Sequence, residues 1–170
     1  MFSHQDPQVE EHTLLLSLDQ LITTFYLTYL LGTGKSLNIF TQLSQMGENF
    51  QYISITFSAQ TSANQTQDTI DGKMDKRRKG VYGPPIGKKC IIFVDDLNMP
   101  KKEEYGAQPP IELIRQYLDH KGWYNRKDLL YMKMEDVIIL SAMGPPGGGR
   151  TFITNRVVRH FNIISYTELD

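Results

Sequence analysis

The sequence predicts a three-layer α/β/α domain built on a five-stranded, mainly parallel sheet. Short apolar runs recur along the chain, and runs of this kind form strands that are buried on both faces of a parallel sheet. Helix-length segments separate these runs, an alternation typical of parallel sheets covered by helices. With 170 residues, the chain is long enough for one such domain, which would bury about 70% of the surface of its unfolded form.

The predicted elements follow one another in a regular order. The first strand covers residues 25–31, where β-branched and aromatic side chains accumulate, and a helix is expected over residues 35–46. The other four strands are predicted at residues 52–57, 91–94, 137–140 and 161–164. Helices are predicted at residues 61–74 and 109–118, the second of which starts with prolines that a first helical turn tolerates.

Composition excludes several classes of function. Lys and Arg number 18 against 19 Asp and Glu, so the net charge gives no sign of a nucleic-acid partner or an anionic membrane. Residues 14–31 are apolar, but Asp19 and Gln20 interrupt them and no basic flank precedes them, which argues against a membrane span or a signal peptide. The only cysteine, Cys90, reads as a core thiol of a soluble protein in a reducing compartment.

A glycine-rich turn lies between the first predicted strand and the following helix. Its residues are Gly32, Thr33, Gly34, Lys35 and Ser36. They match the end of the P-loop pattern G-x-x-x-x-G-K-[ST], in which backbone N–H groups of the turn and of the helix N-terminus surround phosphates. Lys35 would reach the β and γ phosphates, and Ser36 would ligate Mg²⁺.

The start of this motif is altered. The full pattern has a glycine five residues before Gly34, and Tyr29 stands there. A left-handed conformation at Tyr29 would be strained by about 1–2 kcal/mol, and its ring would crowd the approaching phosphate. Nucleotide binding and a glycine turn that merely caps a helix therefore both stay open for this segment taken alone.

Two acids follow the apolar run at residues 90–94. Asp95 matches the carboxylate that holds the Mg²⁺ shell in a Walker B motif, and Asp96 takes the place of the residue that orients the attacking water. That residue is often glutamate, so the side chain of Asp96 is one methylene shorter. A strand end with solvated acids is the alternative, but the two motifs together favour ATP or ADP with Mg²⁺ as the cofactor.

Two arginines, Arg156 and Arg159, precede the last predicted strand. An arginine at this place can act as a finger that contacts the nucleotide of a neighbouring subunit, because its bidentate geometry suits a γ-phosphate. An exposed basic turn is the alternative. The four histidines show no metal-ligand spacing, and no nucleophile elbow is present.

From Gly32 onward the chain closely resembles the third AAA+ module of an axonemal dynein heavy chain. The resemblance rests on GTGKS, on the long segment at residues 57–100 that ends in GKKCIIFVDDLNMP, and on residues 104–124 and 141–163. It implies a microtubule motor of cilia or flagella, located in the cytoplasm, the cytoskeleton and the axoneme. In such motors this module belongs to a ring of six and binds nucleotide in a regulatory way, and its partners are neighbouring AAA+ modules or dynein subunits. Microtubules are reached only through the full-length motor.

The resemblance also assigns site residues and domains. Gly32, Gly34, Lys35 and Ser36 match the phosphate loop, Asp95 and Asp96 the Walker B acids, and Arg156 or Arg159 the arginine-finger region. Many AAA+ proteins carry an asparagine at the end of the fourth strand to place the water, and residues 142–144 offer none. Residues 32–170 are expected to form the AAA+ large-subdomain core without the helical lid domain, and residues 1–31 a divergent N-terminal segment. The junction at Gly32 suggests an alternative transcript or a truncated gene model.

The motifs and the resemblance raise three candidate functions. The leading one is an ATP-binding AAA+ fragment of a dynein heavy chain with weak or absent hydrolysis by itself. The alternative is a non-enzymatic interaction module that has lost its nucleotide, which Tyr29 and the missing lid favour. A small P-loop kinase is disfavoured because no acceptor-binding domain follows.

Overall fold

The computed structural model describes residues 25–28 and 35–165. Its central sheet consists of the five strands β1 (Phe25–Thr28), β2 (Phe50–Thr56), β5 (Lys89–Asp95), β8 (Val137–Met143) and β9 (Asn162–Ser165). They are all parallel and lie in the spatial order β2-β5-β8-β1-β9. The predicted α/β class is confirmed, and each strand predicted from the sequence overlaps one of these five.

Four helices lie in the described part of the chain. They are α1 (Lys35–Gln45), α2 (Ala63–Asp71), α3 (Pro109–His120) and α4 (Asn155–Val158). Helix α2 is shorter than predicted because Ser62 already caps it, accepting a hydrogen bond from Gln65 N at 3.2 Å, and because it ends at Gly72. Helix α3 is capped at its C-terminus by Lys121, whose backbone is left-handed with φ 57°.

Helices cover both faces of the central sheet. Along β5, Ile91 and Phe93 pack in one apolar cluster with Ile39 and Leu43 of α1. The alternate side chains Cys90, Ile92 and Val94 belong to a second cluster that includes residues of α2 and α3, among them Ile70 and Ile114. Because successive side chains of a strand point to opposite faces, this division places a helical layer on each side of the sheet.

A second, mixed sheet was not predicted from the sequence. Its strands are β3 (Asp75–Arg78), β4 (Val81–Gly83), β6 (Gly122–Tyr124) and β7 (Tyr131–Met134), in the order β3-β4-β7-β6. The sequence indicated only a basic cluster and a turn-rich segment around residues 73–85. Strands of three or four residues are too short to show a period of two, and β3 reads Asp-Lys-Arg-Arg.

Trp123 of β6 links this second sheet to helices α2 and α3. The side chain is only 2% exposed; its Nε1 donates to Asp71 Oδ1 at 3.0 Å, and its ring meets the ring of Tyr117 edge-on at 6.2 Å. Burial raises the pKa of Asp71, although the hydrogen bonds from Trp123 and Gln67 act in the opposite direction. The second sheet is thus part of the same packed body as α2 and α3.

No helix in the described ranges is both long enough and apolar enough to cross a bilayer. The prediction that residues 14–31 do not form a membrane span concerns residues that mostly lie outside the described part, and it stays a prediction.

Candidate functional site

Ser36 and Asp95 meet at the edge of the central sheet where its strands end. Helix α1 begins at Lys35, and β5 ends at Asp95. Asp95 continues the alternation of Ile91 and Phe93 toward the α1 face. Its Oδ2 accepts a hydrogen bond from Ser36 Oγ at 2.6 Å, across 59 positions of sequence. The carboxyl edge of a parallel sheet is where ligands of this fold class bind.

The Ser36–Asp95 pair fits a magnesium ion. Mg²⁺ takes oxygen ligands, is usually held by one or two carboxylates, and completes its shell with phosphate oxygens and water. A hydroxyl and a carboxylate that approach within 2.6 Å offer such oxygens to one ion. In the described ranges no three His, Cys, Asp or Glu side chains cluster as a metal cage.

Asp96 adopts a strained backbone next to this pair. Its φ is 52°, which is left-handed and costs a non-glycine residue about 1–2 kcal/mol. Hydrogen bonds hold the turn: Asp96 N donates to Asp95 Oδ1 at 3.0 Å, and Met99 N donates to Asp96 O at 2.9 Å. Asp96 thus lies in the turn that directly follows the end of β5.

Arg150 joins this group, and the sequence analysis missed it. Its Nη2 donates to Asp96 Oδ1 at 3.2 Å, and its side chain is 15% exposed. The guanidinium crosses Gly144, where an added Cβ would lie only 2.8 Å from Arg150 Nε. Arg150 follows three glycines with positive φ, Gly147, Gly148 and Gly149. A glycine-rich segment ending in a basic residue, just after an apolar strand, was the available signal.

Asn98 connects the turn after β5 to the end of β8. It is fully buried, and its Nδ2 donates to Gly144 O at 2.8 Å. Its backbone oxygen accepts from Thr151 N at 3.0 Å, which anchors the loop that carries Arg150. Asn98 Oδ1 and Arg150 Nε are buried without a hydrogen-bond partner among the described atoms. Both ends of the Gly144–Thr151 loop are therefore tied to Asn98.

The two predicted finger arginines differ in their surroundings. Arg159 donates to Asp119 Oδ1 at 2.9 Å, and His160 approaches the same carboxylate at 2.8 Å. Burial opposes ionisation of Asp119, but the hydrogen bonds from Arg159 and Arg115 and the charge of His160 outweigh it and lower the pKa of Asp119. Arg156 is exposed, and no hydrogen bond or ion pair joins it to another described residue. Within those ranges, no polar contact connects either arginine to the Ser36, Asp95 and Asp96 group.

The phosphate-loop residues Gly32, Thr33 and Gly34, and Tyr29 before them, lie outside the described residues. Lys35 is described only as the first residue of α1. Of the sequence-predicted site, the structure therefore brings together Ser36, Asp95 and Asp96.

Comparisons with known proteins identify relatives of the chain. The chain is 58% identical over 142 residues to dynein axonemal heavy chain 1 of Rattus norvegicus and of Homo sapiens, and 59% identical over 135 residues to dynein axonemal heavy chain 3 of Mus musculus. These alignments cover 82% and 79% of the chain but only 3% of each relative. The chain thus spans a small part of the curated relatives it matches.

A solved structure supports the fold alone. The crystal structure of a protein from Cytophaga hutchinsonii that was assigned as an ATPase superposes with a TM-score of 0.59 at 18% identity, covering 96% of this chain and 47% of that one. Residues 13–169 match the family described as the P-loop containing dynein motor region. This match covers nearly the whole chain and includes every residue of the candidate site, and the chain accordingly belongs to the P-loop containing dynein motor region family.

Proposed function

We propose that this chain is an ATP-binding segment of an axonemal dynein heavy chain. The observation that carries the proposal is the hydrogen bond of 2.6 Å between Ser36 Oγ and Asp95 Oδ2. It joins the last residue of the phosphate-loop motif to the first acid of the Walker B motif, which are the two positions that hold Mg²⁺ in P-loop NTPases. A glycine turn that only caps a helix would need no such partner.

Each site residue has a proposed role. Lys35 contacts the β and γ phosphates, and the turn formed by Gly32, Thr33 and Gly34 supplies backbone N–H groups to them. Ser36 and Asp95 hold Mg²⁺, which neutralises phosphate charge when bound. Asp96 orients water.

Weak or absent hydrolysis follows from the surroundings of Asp96. Its side chain is shorter than the usual glutamate, and one of its oxygens already accepts a hydrogen bond from Arg150. The end of β8 carries Ala142, Met143 and Gly144, none of which has a polar side chain to place water. We therefore assign ATP or ADP with Mg²⁺ as a bound, regulatory cofactor.

The proposed setting is the third AAA+ module of an axonemal motor, with residues 32–170 as the large-subdomain core. Arg156 is the better candidate for a finger toward a neighbouring module, because Arg159 is engaged by Asp119. The proposed partners are adjacent AAA+ modules or dynein subunits, and the location is the axoneme of a cilium or flagellum. The names of the axonemal relatives support the axonemal location and the dynein heavy chain, not the choice of module.

One observation favours a second function. Tyr29 occupies the first glycine position of the phosphate-loop pattern, and a bulky side chain there would oppose phosphate binding. A non-enzymatic interaction module that keeps the sheet but binds no nucleotide would tolerate this residue.

Substitution of Lys35 by alanine separates the two functions. Hydrogen bonds to charged groups contribute about 1.5–3 kcal/mol, so Lys35→Ala is expected to weaken MgATP binding by roughly 10-fold to 100-fold in isothermal titration calorimetry. Lys76→Ala, on the exposed strand β3, removes the same charge away from the site and serves as the control. Equal affinity for Lys35→Ala and the parent would support the interaction module instead.

A further inference from the structure

The end of β5 places two carboxylates side by side at the proposed phosphate site. Asp95 and Asp96 are consecutive, and both are only partly exposed. MgATP is itself an anion, and like charges in a partly desolvated site repel each other strongly. Mg²⁺ would compensate the charge of Asp95, since Asp95 is its proposed ligand. The charge of Asp96 needs another partner.

Arg150 is that partner. Among the described residues, the only side-chain polar contact of Arg150 is the one to Asp96 Oδ1 at 3.2 Å. With 15% of its side chain exposed, the guanidinium is shielded from solvent, and the pair is screened less by salt than a surface pair would be. Arginine side chains carry a positive charge in proteins.

The loop that carries Arg150 holds the guanidinium in place. Asn98 accepts a backbone hydrogen bond from Thr151 and donates to Gly144 O, so both ends of the loop are fixed. Gly144 leaves the space through which the side chain passes, since a Cβ there would lie 2.8 Å from Arg150 Nε. A fixed charge of this kind needs little reorganisation when a ligand binds.

We propose that Arg150 compensates the negative charge of Asp96 and thereby allows the two-acid end of β5 to accept a nucleoside triphosphate. Arg150 is thus a determinant of triphosphate over diphosphate binding, because the γ-phosphate adds the charge that Asp96 would otherwise repel. The inference rests on the proposed function, since it concerns the same nucleotide site.

The test compares MgATP and MgADP affinities, by titration calorimetry, for the parent and for Arg150→Gln, Asp96→Asn and the double variant. Arg150→Gln removes the charge but keeps donor groups. We expect it to weaken MgATP binding by about tenfold, equivalent to 1.4 kcal/mol, and MgADP binding much less. Adding Asp96→Asn should restore MgATP affinity, and Arg150→Lys should retain part of it.

One further variant and one of those already named serve as controls. Arg126→Gln removes an equal charge from the surface pair with Asp68 and should leave the ATP-to-ADP ratio as in the parent. Asp96→Asn alone should raise MgATP affinity, which tests the charge argument even where Arg150→Gln fails to fold.

The outcomes distinguish the two proposals. Loss of affinity for both nucleotides alike, without rescue by Asp96→Asn, would mean that Arg150 only supports the loop and would overturn this inference alone. Unchanged MgATP and MgADP affinities in Arg150→Gln would also overturn this inference alone. A parent chain that binds neither nucleotide would overturn the proposed function and this inference with it.

Discussion

Ser36 and Asp95 show how a few residues define the candidate site. They are 59 positions apart, yet the start of α1 and the end of β5 bring their oxygens to 2.6 Å. Both residue types are oxygen donors suited to a hard cation. At this scale, the candidate site consists of oxygen atoms at the start of α1 and at the end of β5.

The buried thiol of Cys90 leads to a prediction about how stability depends on pH. Burial raises the pKa of its thiol from an ordinary 9.0 to about 12. The unfolded chain loses this proton first, so the stabilisation is complete below about pH 9 and declines as pH rises toward 12. We expect urea denaturation to show a loss on the order of 1 kcal/mol at pH 10 relative to pH 8.

Cys90→Ala serves as the comparison for that measurement. The variant should be less stable at pH 8 because it leaves a small cavity, but its stability should fall less steeply between pH 8 and 10. Burial also raises the pKa of Tyr117, so a remaining decline is expected above pH 10. Identical slopes for variant and parent would show that the thiol is not protected as the fold implies.

Some residues of the candidate site could be predicted from the sequence and others could not, for a physical reason. Ser36, Asp95 and Asp96 lie in linear motifs, and their local order predicts a shared strand edge. Arg150 has no motif, because its role depends on a loop folding back across Gly144 onto a turn 54 positions earlier. Only the three-dimensional structure places that guanidinium beside an acid. The catalytic and cofactor roles of all these residues stay predictions.

At the scale of elements, the central sheet was predictable and the second sheet was not. The strands buried between helices read as continuous apolar runs, of which residues 91–94 are the clearest. Strands β3 and β4 are short, and β3 is charged, so their pairing depends on partners that are distant in sequence. The strand β4 pairs with β7, about 50 positions later, through Val81 and Lys133.

The pairing of β6 with β7 requires glycine at position 122. A Cβ at Gly122 would lie 2.2 Å from Met132 O, which is backbone and cannot move aside without breaking the pair. Gly122→Ala is therefore expected to destabilise the protein by about 1–3 kcal/mol, measured by urea denaturation followed by circular dichroism.

Gly87→Ala provides a contrast, because a Cβ there would meet no atom within 4 Å and only the positive φ of 87° opposes it. A loss of stability at Gly87 equal to or larger than that at Gly122 would contradict the close-approach argument for β6 and β7.

At the scale of the whole molecule, the proposed nucleotide site and the predicted finger arginines lie at different places in the fold. The site lies where β5 and α1 meet, whereas Arg156 belongs to α4 and Arg159 directly follows that helix, just before β9. Such a division suits a module that binds nucleotide itself and contacts the site of its neighbour. The chain spans only 3% of its axonemal relatives, so this assembly is part of the proposal.

The most direct test of nucleotide binding is a thermal melt of the purified chain with and without MgATP. Trp123, the single tryptophan, is 2% exposed and reports unfolding by fluorescence. At a MgATP concentration of 100 times Kd, binding should add about 2.7 kcal/mol to stability and raise the midpoint. A cooperative melt with the same midpoint at saturating MgATP would contradict the account and favour the interaction module.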